Sequence, residues 1–192
     1  DIQAAHSAHP LVPIWDDHEI VNDYDRTIFT TEPTRAAAAY QAWFEYMPVW
    51  PTDGTRIYRE MRWGNLADLL LLDGRQYRDE HLGTSLLGLL GLQVMTGDLQ
   101  AAGRSLLGVD QRQWLLDSLD AAQADGVRWK LIGNPVMIAP VRLQDWAVPG
   151  GDPSLPTHAG LYLGTDSWDG FGWERDLILS HLRRQGRHAE AA

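Results

Sequence analysis

Helical spacing of hydrophobic residues is clearest between Thr34 and Met47, in the segment "TRAAAAYQAWFEYM". Residues at three- and four-residue intervals form one apolar face, and they are Ala36, Tyr40, Trp43, Phe44 and Met47. Such spacing is typical of an amphipathic helix that packs one face against a core. Pro48 follows directly and cannot continue a helix, so the pattern predicts a helix over 34–47.

Two later segments show the same helical spacing. In "VDQRQWLLDSLDAAQ", Asp110 is the predicted N-cap. The predicted inner face of this helix is Trp114, Leu115, Leu119 and Ala122. The second segment, "WERDLILSHLRR", is expected to end near Arg184, where the polar and pattern-free "QGRHAEAA" follows. Its predicted inward residues are Leu177, Ile178 and Leu182.

Shorter apolar runs predict strands between these helices. Leu11–Trp15 is short, apolar and bounded by prolines, as a buried strand would be. "RIYREMRWG" alternates in polarity, whereas "ADLLLLDGR" and "VRWKLIGN" are apolar runs that end in polar residues, and the first two suggest a hairpin. Strands alternate with helices, which favours an α/β sheet covered by helices, in one domain over 1–192. The glycine-rich segments 79–108 and 140–172 are expected to be loops or excursions.

Composition and charge narrow the range of partners. The net charge is −10, from 26 acidic residues against 16 lysines and arginines. Because a binder of the phosphate backbone needs clustered positive charge, nucleic acid is not expected as a partner. The chain has no cysteine, which excludes disulfides and thiolate metal ligands within it. The longest apolar stretch spans only half of the ~20 residues that cross a bilayer, so no transmembrane segment is predicted.

Nine tryptophans are many for a chain of 192 residues. Trp43 and Trp114 lie on predicted apolar helix faces and Trp129 lies within a predicted strand, so core packing is the expected role of all three. Exposed tryptophans can instead stack on sugars, which leaves a glycan-binding module as an alternative.

The segment "WDDHEIVNDY", which follows the Leu11–Trp15 run, concentrates acidic side chains. Its candidate oxygen ligands for a hard metal ion are Asp16, Asp17, Asn22 and Asp23. His18 can bind a metal or transfer a proton near neutral pH. The alternative is the start of a helix, with Asp16 or Asp17 as N-cap and Glu19 near the positive end of the helix dipole. Spacing alone leaves both interpretations open.

A second set of polar residues follows the predicted strand "ADLLLL". Ligands often bind at the ends of such strands. Arg75 and Arg78 lie in "DGRQYRD", and a guanidinium at either position could bind phosphate oxygens in a fork. Salt bridges to Asp73 or Asp79 are the alternative role of these two arginines.

Four blocks occur in this order along the chain: "WDDHE" followed by "ND", "YREMRWGNLADLLLLDGRQYRD", "WKLIGNPVMIAP" and "DSWDGFGWER". Together they resemble the catalytic domain of PhoD-type alkaline phosphatases, which belong to the calcineurin-like metallophosphoesterases. The resemblance extends from about His9 to Arg184. It implies an αββα sandwich with a site that holds iron together with calcium and hydrolyses phosphate mono- and diesters. It also implies a periplasmic or extracellular location.

By the same resemblance, Asp17 and His18 are the expected catalytic residues. Asp17 takes the place of a metal-binding asparagine, and His18 that of the histidine that stabilises the transition state or protonates the leaving oxygen. Asp16, Asn22 and Asp23 are expected to be further metal ligands, and Arg75 and Arg78 to bind substrate.

The family pattern includes three features that these 192 residues lack: an aspartate motif before WDDHE, a Gly-Asp-x-His motif after the last helix, and a cysteine ligand. The chain is therefore expected to be a central part of the catalytic domain, with a sandwich incomplete at both ends and little activity alone. The alternative is a degenerate, non-catalytic domain that binds calcium or a partner through the same acidic segment.

Overall fold

A computed structural model describes residues 2–51, 53–80, 83–85, 93–95, 101–145, 160–162 and 164–190. The helices are α1 (Ile2–Ala8), α2 (Ile28–Thr31), α3 (Pro33–Tyr46), α4 (Gly108–Ala124) and α5 (Gly172–Glu190), with a short 3₁₀ helix at Trp168–Phe171. The strands are β1 (Arg59–Trp63), β2 (Ala67–Leu71), β3 (Gly83–Ser85), β4 (Gln93–Met95), β5 (Trp129–Gly133), β6 (Arg142–Asp145) and β7 (Gly160–Tyr162). The predicted α3, α4 and α5 helices and the predicted β1, β2 and β5 strands are thus confirmed.

The described strands form two small sheets. In the first, β1 and β2 are an antiparallel hairpin, and β5 lies parallel to β2 with Leu69 opposite Leu131. The crossover from β2 to β5 contains α4, which makes a βαβ unit. The second sheet has the order β3-β4-β7-β6 and is antiparallel throughout. The fold class is therefore mixed α/β, and the αββα sandwich stays a prediction.

Helix α4 covers one face of the first sheet. Leu70 from β2 and Leu72 just after this strand belong to one buried cluster with Leu115 and Leu119 from α4. Alternate residues of β2 point to opposite faces, so the strand buries Leu70 toward α4 while Leu69 faces away. Burying each such side chain contributes about 1.5 to 3 kcal/mol. This cluster fixes the end of β2, from which Asp73 and Arg75 extend.

A separate aromatic cluster lies between α3 and the acidic segment. The Trp15 ring is fully buried, stacks on Tyr40 with ring centroids 4.4 Å apart, and meets Trp43 edge-on at 5.1 Å. Its indole N–H donates to the hydroxyl of Tyr24. Trp15 and Tyr24 bracket the acidic residues, so the cluster anchors both ends of that segment to α3.

The structure corrects the predicted Leu11–Trp15 strand. No strand is assigned there, and Leu11 and Val12 are exposed. Pro10 and Pro13 explain the difference, because each proline lacks the N–H that a sheet ladder requires.

Helix limits also differ from the predictions. Helix α4 begins two residues before Asp110, with Leu107 rather than Asp110 at the N-cap. Helix α5 continues past Arg184 to Glu190, so the polar tail extends the helix instead of ending it.

The prediction for Trp129 is wrong, while that for Trp43 is confirmed. Trp129 is 55% exposed and Trp63, near it across the sheet, is 49% exposed. Both lie on the face of the first sheet that α4 does not cover, because Trp63 and Trp129 both align with Ala67. Trp43 is buried in the aromatic cluster.

Parts of the predicted loops over 79–108 and 140–172 lie outside the described residues, as does most of the apolar stretch 86–95. No helix in the described ranges has both the length and the apolarity that crossing a bilayer requires.

The start of α4 is capped by a residue from α5. Leu107 at the N-cap offers no side-chain acceptor, and the buried carboxylate of Glu174 accepts from the N–H groups of Leu106 (2.6 Å) and Leu107 (3.1 Å). It also accepts from the Ser105 hydroxyl at 2.6 Å and from Arg112 at 2.9 Å. A fully buried carboxylate with four donors links α4 to α5.

We expect Glu174→Gln to lower the free energy of unfolding by about 3 kcal/mol, because the amide leaves Arg112 without its charged partner and turns a donor toward other donors. Urea denaturation followed by circular dichroism measures this change. The matched control is Asp176→Asn, an exposed carboxylate two residues along α5, which should change stability by less than about 0.5 kcal/mol. Equal effects of the two substitutions would contradict the capping role.

Candidate metal and phosphate site

Residues 17–23 form a tight turn rather than a helix. The Asp17 carbonyl accepts from the N–H groups of Ile20 and Val21, both at 2.9 Å. The Asp17 carboxylate accepts from the N–H of Asp23 at 2.8 Å, which closes the turn. Asp23 has φ +57°, a left-handed conformation that aspartate tolerates better than most residues. The capped-helix interpretation of this segment is therefore wrong, since no helix is assigned over residues 10–26.

A second turn follows β2 and is built on Asp73. One oxygen of the buried Asp73 carboxylate accepts from the N–H groups of Arg75 (2.9 Å) and Gln76 (3.1 Å), and the other accepts from the Gln76 side chain at 2.6 Å. Burial raises the pKa of Asp73 to about 6 although these hydrogen bonds oppose the shift. The turn fixes the main chain at Arg75 and directs that side chain toward the acidic segment.

The guanidinium of Arg75 lies among three carboxylates. Arg75 is 2% exposed; its Nε donates to Asp16 at 2.6 Å, and its Nη2 lies 3.4 Å from Asp166 and 3.6 Å from Asp17. Its Nη1 is buried and has no hydrogen-bond partner among the described residues. Within the described ranges, Arg75 forms its salt bridges with these three aspartates and not with Asp73 or Asp79, the partners expected in the alternative role.

Three carboxylates converge beside Arg75. One oxygen from each of Asp17, Asp23 and Asp166 lies within 4.8 Å of the others, close enough to surround one metal ion. Asp17 is buried and the other two are half-buried. Burial raises the pKa of Asp17, but the Asp23 N–H, Arg75 and His18 together outweigh it and hold the pKa below its usual value. Asp17 is therefore ionised at neutral pH, as a ligand for a hard cation must be.

Asp166 is not among the residues predicted for the site, because the sequence favours a loop-ordering role for it as much as that of a ligand. It lies in "DSWDGFGWER", far along the chain from Asp17 and Asp23, in a loop that precedes α5. The only signal in the sequence was that this block takes part in the family resemblance. The spacing of acidic residues could not reveal it, because the loop meets the turn at 17–23 only in the folded chain.

The other predicted residues lie around this triad. His18 has a side chain 79% exposed, with Nδ1 3.0 Å from the Asp17 carboxylate. Asn22 is exposed, and its amide donates to the Asp23 carboxylate at 2.8 Å. One oxygen of Asp16 faces Arg75. The structure thus brings Asp17 and Asp23 together with Asp166, and the roles of His18, Asn22 and Asp16 stay predictions.

Arg78 is fully buried beneath the same site. Its guanidinium donates to three main-chain carbonyl oxygens, those of Tyr24, Asp166 and Asp23. The neighbouring Asp79 pairs with Arg26 at 2.7 Å. The predicted substrate-binding role of Arg78 is untested by these contacts.

Known proteins match this chain over nearly its whole length. The family model of the PhoD-like phosphatases matches residues 1–189. The chain belongs to the PhoD-like phosphatase family. A curated relative, alkaline phosphatase D of Bacillus subtilis (strain 168), is 30% identical over 194 residues, covering 95% of this chain and 30% of the relative.

A solved structure of PhoD also matches the fold of this PhoD-like chain. Its TM-score is 0.75 at 29% sequence identity, over 96% of this chain and 34% of that one. The chain spans about a third of the length of the PhoD proteins that it matches. Family membership supports phosphoester hydrolysis as the chemistry of the family, and the acidic triad could hold a metal ion.

The loop that carries Asp166 in this PhoD-like chain packs against Gly170 without room for a side chain. A Cβ at Gly170 would lie 1.9 Å from the carbonyl oxygen of Thr165, so Gly170→Ala must displace the Asp166 loop. We expect a loss of about 3 kcal/mol in the free energy of unfolding. Thermal denaturation with chemical denaturation checks the value.

Gly186→Ala is the matched control for this substitution. No atom lies within 4 Å of a Cβ at Gly186, which is exposed within α5. Alanine there should stabilise the chain by about 0.5 to 1 kcal/mol, because it favours the helix. Tolerance of alanine at both positions would show that the Asp166 loop is not constrained by Gly170.

Proposed function

We propose that this chain supplies part of a metal-dependent site that hydrolyses phosphate mono- and diesters. The observation that carries the proposal is the convergence of Asp17, Asp23 and Asp166 beside Arg75, whose Nη1 has no partner among the described residues. Carboxylates would hold the cation, and a guanidinium would bind the anionic ester. Family membership supports the same chemistry.

The donor set fits a hard cation. All three groups of the triad are carboxylates, and calcium, magnesium, manganese and ferric iron prefer such oxygen ligands. Asp16, Asp17 and Asp166 all lie within 3.6 Å of the Arg75 guanidinium, so three carboxylates share this one positive charge. Asp17, Asp23 and Asp166 would hold the metal, and iron with calcium is the proposed content, by family resemblance.

A metal bound there supplies positive charge for the phosphate oxygens and lowers the pKa of water. The residues of this chain perform the remaining tasks. Arg75 is the proposed phosphate-binding residue, because its guanidinium lies beside the triad, where its positive charge can act on a bound ester. His18 lies next to Asp17 and is exposed, so it can reach a leaving oxygen and donate a proton to it. Asp73 holds the turn that keeps Arg75 in place.

The proposed activity belongs to a site larger than this chain alone provides. The matched PhoD proteins are about three times as long, and the family pattern includes metal-binding motifs that are absent from these 192 residues. We therefore propose that the chain binds a cation but turns over esters slowly by itself. A periplasmic or extracellular location is proposed from the family resemblance.

We expect Asp17→Asn and Asp166→Asn each to weaken calcium binding by a factor of about 10 to 100, because each removes one charged ligand. Isothermal titration calorimetry with calcium measures this loss. Asp117→Asn, an exposed carboxylate on α4, is the matched control and should leave the affinity unchanged. Uniform weakening by all three variants would indicate a general charge effect instead of a site.

The chain loaded with iron and calcium should hydrolyse p-nitrophenyl phosphate and its bis-ester far more slowly than the Bacillus subtilis alkaline phosphatase D. His18→Ala should lower the residual rate by about 100-fold or more, because it removes the proton donor, without loss of calcium binding. Colorimetric release of p-nitrophenol measures both rates. Turnover as fast as that of the full-length enzyme, abolished by Asp17→Asn and His18→Ala, would show that the chain forms a complete site.

Calcium binding without hydrolysis, in a protein extended through both missing motifs, would favour a non-catalytic binding domain.

A further inference from the structure

Arg78 is a buried cation to which the proposed chemistry gives no task. Its Nε donates to the Tyr24 carbonyl at 2.9 Å, its Nη1 to the Asp166 carbonyl at 2.6 Å, and its Nη2 to the Asp23 carbonyl. Burial, and secondarily the charge of Arg75, lower the pKa of Arg78 to about 10, so it remains charged at neutral pH. A buried charge is costly unless it is well solvated by polar groups, and here the carbonyl dipoles supply that solvation.

Two of these carbonyls belong to residues whose carboxylates form the triad. Asp23 and Asp166 come from loops at opposite ends of the chain, and each loop offers its carbonyl to the same guanidinium. The nitrogens of a guanidinium are held in one rigid plane, so the two carbonyls are held at a fixed separation. Lysine could not do this, because its ammonium is a single point charge on a flexible stem.

Arg78 adds a second anchor to the Asp23 turn, which the Asp23 N–H already ties to Asp17, and it gives the Asp166 loop its shortest contact to a charged side chain. Asp23 has a left-handed main chain, and its carboxylate faces two others that repel it. The Asp166 side chain contacts Arg75 only at 3.4 Å, a weak hydrogen bond. The hydrogen bond that Arg78 donates to the Asp166 carbonyl is shorter, at 2.6 Å.

We propose that Arg78 is a positioning residue, which holds the main chain of Asp23 and Asp166 so that their carboxylates stand at the separation required to bind one hard cation. This inference rests on the proposed function, since it requires that the triad binds a cation. In this proposal Arg78 acts through the main-chain carbonyls that it binds, in place of the substrate-binding role predicted from the sequence.

The sign of the effect separates positioning from simple electrostatics. Removing a positive charge beside an acidic site strengthens the attraction for a cation, so a purely electrostatic role predicts tighter binding in Arg78→Met. Positioning predicts weaker binding despite the favourable change in charge. Arg26→Met is the matched control, because it removes a nearby positive charge that is 64% exposed and whose partner among the described residues is Asp79 instead of a member of the triad.

The experiment titrates the wild-type chain and the variants Arg78→Met, Arg78→Lys and Arg26→Met with calcium by calorimetry. Arg78→Met should bind about 10 to 100 times more weakly than wild type, and Arg78→Lys should fall between them, since lysine retains the charge but not the fork. Arg26→Met should bind as tightly as wild type or more tightly. Circular dichroism checks that each variant is folded, and Arg78→Lys decides the matter if Arg78→Met does not fold.

Terbium luminescence gives a readout that a loss of stability alone would not change. Lifetimes in H₂O and D₂O count the water molecules on bound terbium, and the Arg78 variants should show about one more water than wild type, as one carboxylate leaves the ion. Wild-type affinity and hydration in folded Arg78→Lys or Arg78→Met would overturn the positioning role. Absence of any cation binding by both wild type and Arg26→Met would instead overturn the proposed metal site.

Discussion

Repulsion among carboxylates is the constraint on which the site depends. Asp17, Asp23 and Asp166 stand within 4.8 Å of one another, and two charges 4 Å apart repel by about 4 kcal/mol at an effective dielectric of 20. Arg75 offsets part of this repulsion through its contacts with Asp17 and Asp166. The hydrogen bond from the Asp23 N–H to the Asp17 carboxylate offsets a further part. The carboxylates outnumber the Arg75 charge, so the arrangement could hold a further cation, as proposed.

The rest of the fold holds these charges in place against their repulsion. The aromatic cluster around Trp15 anchors the turn at 17–23, and the Asp73 turn at the end of β2 fixes Arg75. Gly170 allows the Asp166 loop to approach closely, and Glu174 ties the neighbouring helix α5 to α4. The acidic turn, Arg75 and the Asp166 loop are therefore each held by a different buried contact.

The sequence predicted what depends on local pattern. Periodicity located α3, α4, β1, β2 and β5, and the acidic segment pointed to Asp17 and Asp23. It did not reveal Asp166, because the convergence with Asp17 is a property of two loops distant along the chain. It also placed Trp129 in the core, since an apolar strand residue gives no sign of which sheet face is covered. The main-chain contacts of Arg78 join residues that are distant along the chain, so the sequence pattern could not predict them.

The position of Arg75 has a consequence for how the proposed site would bind its two ligands. Arg75 pairs with Asp17 and Asp166, which are also proposed to hold the cation. A cation that takes those oxygens would weaken the pairs and leave more of the guanidinium charge for a phosphate oxygen. The phosphate would in turn compensate the added positive charge. Cation and ester would then each raise the affinity for the other by the same factor, because coupling between two bound ligands is reciprocal.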